Sequence, residues 1–262
     1  MTYANDARAA TGARHRAPLP LHAELYLIAH DDDTGRLHIN EQVLAIGLAG
    51  ALLLELTFAR RVEIGWEYNE FTREWMPAPG RLFITEPVPR GGQAAPTGSP
   101  LLDAALASVD QLARAQPRGE HLRSWLGDFS SSQLYHRTQA SMITASLIRR
   151  AQLRRLGGLR KTDTNLVVDI GYPVGARHRV KTAVSYYENP SPAAHPPDDS
   201  CVALCGLTAA LELTPFLYRN QADRELAQWL GYVVDQRNNT AITTVVQAVD
   251  AGRGDVAVAA MG

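Results

Sequence analysis

The chain has 262 residues, 45% of them hydrophobic, enough for a sizeable core in one large domain or two small ones without a disulfide or metal staple. Its 26 basic and 27 acidic residues leave a formal net charge of −1, so the overall field does not steer it to nucleic acid and any basic face is local. Two cysteines, Cys201 and Cys205, stand one helical turn apart in an apolar segment and read as buried small hydrophobes of a reducing compartment.

Residues 1–18 are rich in Ala and Arg, lack the apolar centre of a secretory signal, and are expected to form a disordered basic tail. Residues 19–262 are expected to form a single domain. Pro20 to His30 reads as a short helix with Leu21, Leu25, Ile28 and Ala29 on one face, stopped by Asp31-Asp32-Asp33-Thr34-Gly35. Asn40 is a good N-cap, and Glu41 sits in the first turn, where the helix dipole favours an acid. The helix that follows runs to about Phe58 and is apolar around its whole axis, which predicts a central position. Its unbroken apolar run, Val43 to Leu54, falls short of the ~18–20 residues of a membrane span. Gly47 and Gly50 predict that a neighbouring backbone packs close to it.

Val62 to Val88 holds short alternating pieces such as Arg81-Leu82-Phe83-Ile84 and reads as one or two strands of a hairpin. Gly91 to Gly98 is a loop, and Ser99-Pro100 starts a helix. Further helices are expected over Glu120–Gly127 and, with Ser130-Ser131-Ser132 as its N-cap region, over about Ser132–Leu156, closed by Gly157-Gly158. Leu166 to Ile170 is strand-like and breaks at Gly171-Tyr172-Pro173. A helix over Arg177–Tyr187, a proline-rich loop over Asn189–Asp199 and helices over Ser200–Leu217, Ala222–Gln236 and Thr240–Ala251 complete the chain. The fold class is mainly α, a helical bundle with a minor β-hairpin element.

Chemistry-bearing patterns are sparse. Asp31 and Asp32 are candidate magnesium ligands, but Thr34, Gly35 and Arg36 follow where a metal motif would place another acid, so a helix-ending turn is the preferred reading. A second triad, Asn239, Thr243 and Gln247, lacks a carboxylate. His22 and His30 are eight apart rather than the four of a zinc-protease helix, and His136 reads as a helix-surface group. No nucleophile elbow, phosphate loop or dinucleotide fingerprint occurs. The reading inclines to a non-catalytic protein with no cofactor. Trp66, Trp75, Trp125 and Trp229 read mainly as packing residues.

Three stretches carry a resemblance: Leu21–Leu27 with the turn Asp31–Arg36; Gly47–Leu56 followed by Arg60-Arg61-Val62; and Pro96–Leu106. Weaker echoes lie at Leu153–Leu159, Val167–Pro173 and Ala203–Leu207. In order and spacing they resemble the Golgi phosphoprotein 3 family, especially its actinobacterial members. The resemblance implies a helical bundle ringed by amphipathic helices, with a projecting β-hairpin. In eukaryotic members a basic pocket binds the headgroup of phosphatidylinositol 4-phosphate, the hairpin assists membrane insertion or self-association, and the proteins retain glycosyltransferases in the Golgi. Counted onto this sequence, the pocket's Trp and first Arg fall on Asn40 and Ala49, and its other two arginines on Ile143 and Ser146 or one residue later. No Arg or Lys lies between Thr138 and Ile148, so the phosphate ligands of that pocket are not kept. Arg149, Arg150, Arg154 and Arg155 offer a different basic face.

Two functional readings follow. The first is a cytoplasmic, peripheral membrane or protein-binding module whose partner is a membrane surface, another protein or a second copy of the chain, not nucleic acid. The alternative is the same scaffold recruited to a small molecule, isoprenoid or other, with an apolar pocket in place of the headgroup site. Within the first, Val168, Ile170 and Tyr172 are expected at the working edge for membrane or self-association, against the alternative that Val167 and Ile170 pack under the 177–187 helix.

Overall fold

The computed structural model describes residues 18–69, 71, 73–85, 95–115, 122–131, 133–155, 160–191, 195–217 and 223–259. The expected tail and the pair Gly157-Gly158 lie outside them. The elements in order are α1 (Leu21–Ile28), α2 (Glu41–Phe58), β1 (Val62–Asn69), β2 (Glu74–Ile84), α3 (Pro100–Ala115), α4 (Leu122–Ser131), α5 (Leu134–Thr144), β3 (Ile148–Arg155), β4 (Arg160–Val167), α6 (Gly171–Glu188), α7 (Asp199–Ala210), α8 (Asp223–Arg237) and α9 (Thr240–Ala259). One 3-10 turn, Thr214–Phe216, follows α7. The class is mainly α with two separate two-stranded antiparallel hairpins, β1–β2 and β3–β4.

Helix α2 is the axis. Asn40 caps it, its Oδ1 accepting from the Gln42 amide at 2.7 Å. Because the helix is apolar all round, it is wrapped by α1, α3, α4, α5, α7, α9 and β1, and Leu44, Leu48, Ala49 and Leu52 to Leu54 have no exposed surface. By length and composition α2 could cross a membrane, yet it lies inside the bundle. The glycines fit close packing, though the neighbours are side chains rather than the expected backbone. A Cβ on Gly47 would stand 2.4 Å from Leu211 Cδ1, and one on Gly50 2.7 Å from Val249 Cγ2. Buried hydrophobics from Leu21 to Val249 form one cluster.

Three helices end on the same device. After α2, α5 and α7 the chain passes through a left-handed residue, Arg60, Ser146 and Glu212, with φ of 54°, 57° and 54°. In each, the next amide donates five residues back: Arg61 to the Leu56 carbonyl, Leu147 to Met142, Leu213 to Thr208. These are Schellman closures on residues other than glycine.

That device overturns the expected 132–156 helix. The segment is α5, a reversal at Ser146, then strand β3. Ser130 and Ser131 belong to the end of α4 rather than to a helix start, their hydroxyls donating to the Gly127 and Asp128 carbonyls. The strand expected at 166–170 lies earlier, at 160–167, and Gly171-Tyr172-Pro173 forms the first turn of α6 instead of a break. Proline is tolerated there because the first-turn amides have no intrahelical partner. The helix expected over 200–217 stops at Ala210 for the Glu212 reversal, and α9 runs eight residues beyond the expected Ala251.

Candidate functional site

Strand β3 pairs with β4 in regular register from Ile148–Val167 to Arg155–Arg160. The hairpin has residues 148–167, with six basic residues (Arg149, Arg150, Arg154, Arg155, Arg160, Lys161) against one acid, Asp163. In the backbone register Arg154 is paired with Lys161 and Arg155 with Arg160, two like-charged cross-strand pairs in the sequence. Such pairing is unfavourable in isolation and gains when an anionic surface neutralises it. Arg149 and Arg150 are exposed.

The mount of this hairpin is built by the acidic turn. Asp31 Oδ1 accepts from the Asp33 and Thr34 amides at 3.2 and 2.8 Å and from the Thr34 hydroxyl at 2.7 Å. These bonds, the Thr34 hydroxyl's first, hold its carboxyl below the usual carboxylate range. The turn then meets β4: the Thr164 hydroxyl donates to the Thr34 carbonyl at 2.7 Å, and Gly35 (φ 64°) approaches so closely that a Cβ there would lie 2.1 Å from the Asn165 carbonyl oxygen. Asp32 accepts both Arg177 nitrogens, at 2.6 and 2.8 Å, tying the turn to α6. Asp31 and Asp32, the candidate metal ligands, thus serve a turn and an ion pair. Asn239 of the second triad likewise caps α9, accepting from the Ala241 and Ile242 amides.

Behind the mount lies a buried polar cluster. His30 Nδ1–H donates to the Tyr26 carbonyl at 2.7 Å, while Nε2 accepts from the Tyr135 hydroxyl at 3.1 Å. Burial lowers the His30 pKa to about 4. His22 pairs with Glu55 at 2.7 Å, and His136 meets Glu41 on the surface at 3.2 Å. Arg179 bridges buried Glu24 to Asp198, the cap of α7; burial pushes the Glu24 carboxyl up, against the pull of that guanidinium. Cys201 and Cys205 are buried free thiols.

The positions counted from the family pocket do not converge. Asn40 is exposed at the start of α2, Ala49 is fully buried about 13 Å further along the axis, Ile143 is half-buried in the last turn of α5, and Ser146 is exposed at the reversal beyond it. Asn40 alone borders an apolar cleft of about 680 Å³. A second, polar groove of about 540 Å³ runs between α5 and the hairpin, lined by Gln139, Arg150, Gln152, Asp163, Thr164 and Asn165. Its single guanidinium shares the groove with a carboxylate, so it lacks a convergent phosphate cradle. Val168 and Ile170 are 51% and 55% exposed, with Val174 at 53%, and Tyr172 is half-buried. They lie where β4 passes into α6, with Asp169 Oδ1 accepting from the Gly171 amide. Of the tryptophans, Trp125 is buried against Phe129 and Trp229 is half-buried; the side chains of Trp66 and Trp75 lie outside the description. The arginine doublets 149–150 and 154–155 lie on strand β3 rather than on the expected helix. Nothing local announced the cleft, which five separate elements assemble.

No curated protein matches the chain. The family model described as Golgi phosphoprotein 3 (GPP34) matches residues 21–251, most of its length and all of the bundle from α1 into α9. The chain belongs to the Golgi phosphoprotein 3 (GPP34) family.

Proposed function

We propose that this protein is a non-catalytic, cytoplasmic peripheral module that lays the β3–β4 hairpin on an anionic membrane surface. Family membership supports a phosphoinositide- or protein-binding role at the level of the family. The observation that carries the finer reading is the concentration of six basic residues and one acid in residues 148–167, whose strand β4 is held by the acidic turn, in a chain whose net charge is −1. Each basic side chain near an anionic bilayer contributes about 1 kcal/mol, and the attraction fades within a Debye length of about 10 Å. Exposed Val168, Ile170 and Val174 add aliphatic surface at the hairpin's base, able to enter the headgroup boundary or meet a second copy. The two free thiols suit a reducing compartment.

Selectivity for phosphatidylinositol 4-phosphate is expected to be weak, because Asn40, Ala49, Ile143 and Ser146 supply no guanidinium and do not converge. Co-sedimentation with vesicles of phosphatidylserine, of phosphatidylinositol 4-phosphate at matched surface charge, and of phosphatidylcholine tests all of this. Binding should follow charge alone, weaken with salt, and vanish in the quadruple variant R149E/R150E/R154E/R155E. Replacing Val168 and Ile170 by Ser should weaken binding with little change in melting. Equal binding to phosphatidylcholine, or binding that survives the charge reversal, would sink the reading. A protein partner would appear as loss of vesicle binding altogether alongside intact fold.

A further inference from the structure

The cleft beside Asn40 shares no residue with the hairpin. Its walls come from the entry to α2 (Ile39, Val43), the reversal after α7 (Leu211), the 3-10 turn (Phe216), α8 (Ala227) and the last turns of α9 (Val256). At about 680 Å³ it falls in the ~300–1,000 Å³ range of sites that enclose small ligands. The wall is mainly apolar, with Asn40 and Thr214 among its lining, and at one side Arg253 donates to Glu212 at 3.1 Å and to Asp250 at 3.0 Å. Arg253 Nε is covered and has no hydrogen-bond partner among the described residues. A buried donor without a partner is uncommon in folded proteins and costs free energy until something accepts from it. The left-handed Glu212 creates this mouth: the reversal turns Leu211 and Leu213 inward and leaves the Glu212 side chain 70% exposed at the rim.

We propose that the cleft binds a free, neutral, single-chain aliphatic molecule carrying one oxygen, an alcohol, ketone or aldehyde. The chain lies along Val43, Leu211, Phe216 and Val256, and the oxygen accepts from the Arg253 guanidinium, which turns from the exposed rim partner Glu212 toward the cleft. Chain burial supplies the affinity, since apolar walls of this kind hold water poorly. Charge selects the head. One guanidinium already faces two carboxylates, so an added anion meets net repulsion, whereas a neutral oxygen takes the hydrogen bond without adding charge. This inference stands apart from the membrane reading and survives its failure.

The test is calorimetric titration of the full chain with 1-decanol and with decanoate. Decanol should bind with a negative heat-capacity change and about tenfold more tightly than decanoate. Ala227→Trp and Ala257→Trp, both at exposed positions on the cleft, should abolish binding while the circular dichroism melt is kept. Glu212→Gln should raise decanoate affinity and leave decanol nearly unchanged, a readout that a merely structural ion pair would not give. Absence of heat with both ligands, binding that persists in both tryptophan variants, or decanoate binding more tightly than decanol would each overturn the proposal.

Discussion

Hairpin β1–β2 follows α2 and hairpin β3–β4 follows α5, each leaving its helix through a left-handed residue, Arg60 or Ser146. Beyond that shared exit they are built oppositely. In the first, Val62, Ile64 and Leu82 are buried in the bundle core, and a bulge at Gly65 (φ 81°) shifts the register between Ile64 and Trp66. In the second, Ile148 alone among the described side chains of its two strands is buried, and the register is unbroken. Residues 62–84 carry four acids and two bases; residues 148–167 carry one acid and six bases. One hairpin is held by its own side chains, the other by a turn that grips its base. A hairpin that must meet an external surface cannot also spend its faces on the core, so its support comes from elsewhere.

The comparison breaks if the two respond alike to truncation. Leu82→Ala should cost about 2–5 kcal/mol, the usual penalty for emptying a buried leucine site, whereas Gln152→Ala on exposed β3 should stay within about 0.5 kcal/mol. Urea denaturation of both variants checks this, and equal costs would show the second hairpin to be core as well.

The grip on the second hairpin should fail selectively. Gly35→Val places a branched Cβ against the Asn165 carbonyl in a left-handed backbone, at a cost of about 2–4 kcal/mol from strain and overpacking together. Hydrogen exchange should quicken at the Val168 amide, which donates to the Leu147 carbonyl, and stay slow at Thr85, which donates to Arg61. Uniform loosening of both would mean that the turn supports the whole bundle rather than one hairpin.

Acid offers a third discrimination. His30 is buried neutral between the Tyr26 carbonyl and the Tyr135 hydroxyl of α5, with its pKa lowered to about 4 from the unfolded 6.5. The unfolded chain therefore takes up this proton first. The neutral group carries no penalty above pH 6.5, and stability falls as pH drops from 6.5 to 4, by up to about 3 kcal/mol for this residue. Because α5 leads directly into β3, exchange at Leu147 and Val168 should rise in that window before exchange at Ile64. His30→Gln should flatten the urea midpoint's dependence on pH between 6.5 and 4; an unchanged slope would remove His30 from the account.

How far all this was legible depended on which physical signal each segment carried. The central helix was readable to the residue because Asn40, Glu41 and an all-round apolar surface agree. The first hairpin was readable from Leu82, Phe83 and Ile84 between turn formers. The second was not, because Arg149-Arg150-Ala151-Gln152-Leu153-Arg154-Arg155 consists of good helix formers. Cross-strand pairing with β4 overrides that propensity, and pairing between distant residues leaves no local trace. The site shared the hairpin's fate: the arginines were noticed, but their opposition to Arg160 and Lys161 requires the register.

The decisive misreading was at Ser146, and it yields the smallest and sharpest prediction. Sequence reading looks for glycine after a helix because the left-handed conformation costs other residues about 1–2 kcal/mol. Here the nearest glycines, Gly157-Gly158, put the expected helix end at Leu156, twelve residues beyond Thr144. The reversal forms at Ser146 because Leu147 is buried at 8% exposure and the Met142 and Ile143 carbonyls are satisfied by the Leu147 and Ser146 amides at 3.0 Å. Ser146→Gly should relieve the backbone strain, and the greater freedom that glycine gives the unfolded chain offsets roughly 0.5–1 kcal/mol of the gain. A net stabilisation of about 0.5–1 kcal/mol should remain, with vesicle binding unaltered, because the substitution at exposed Ser146 changes no charge of the hairpin. Arg60→Gly, before the other hairpin, should gain by a similar amount for the same reason. Urea midpoints of the two variants and their double mutant decide the matter. If Ser146→Gly loses stability while Arg60→Gly gains it, the serine is contributing a specific bond at the second reversal, and the two hairpins differ even at the exit they are described as sharing.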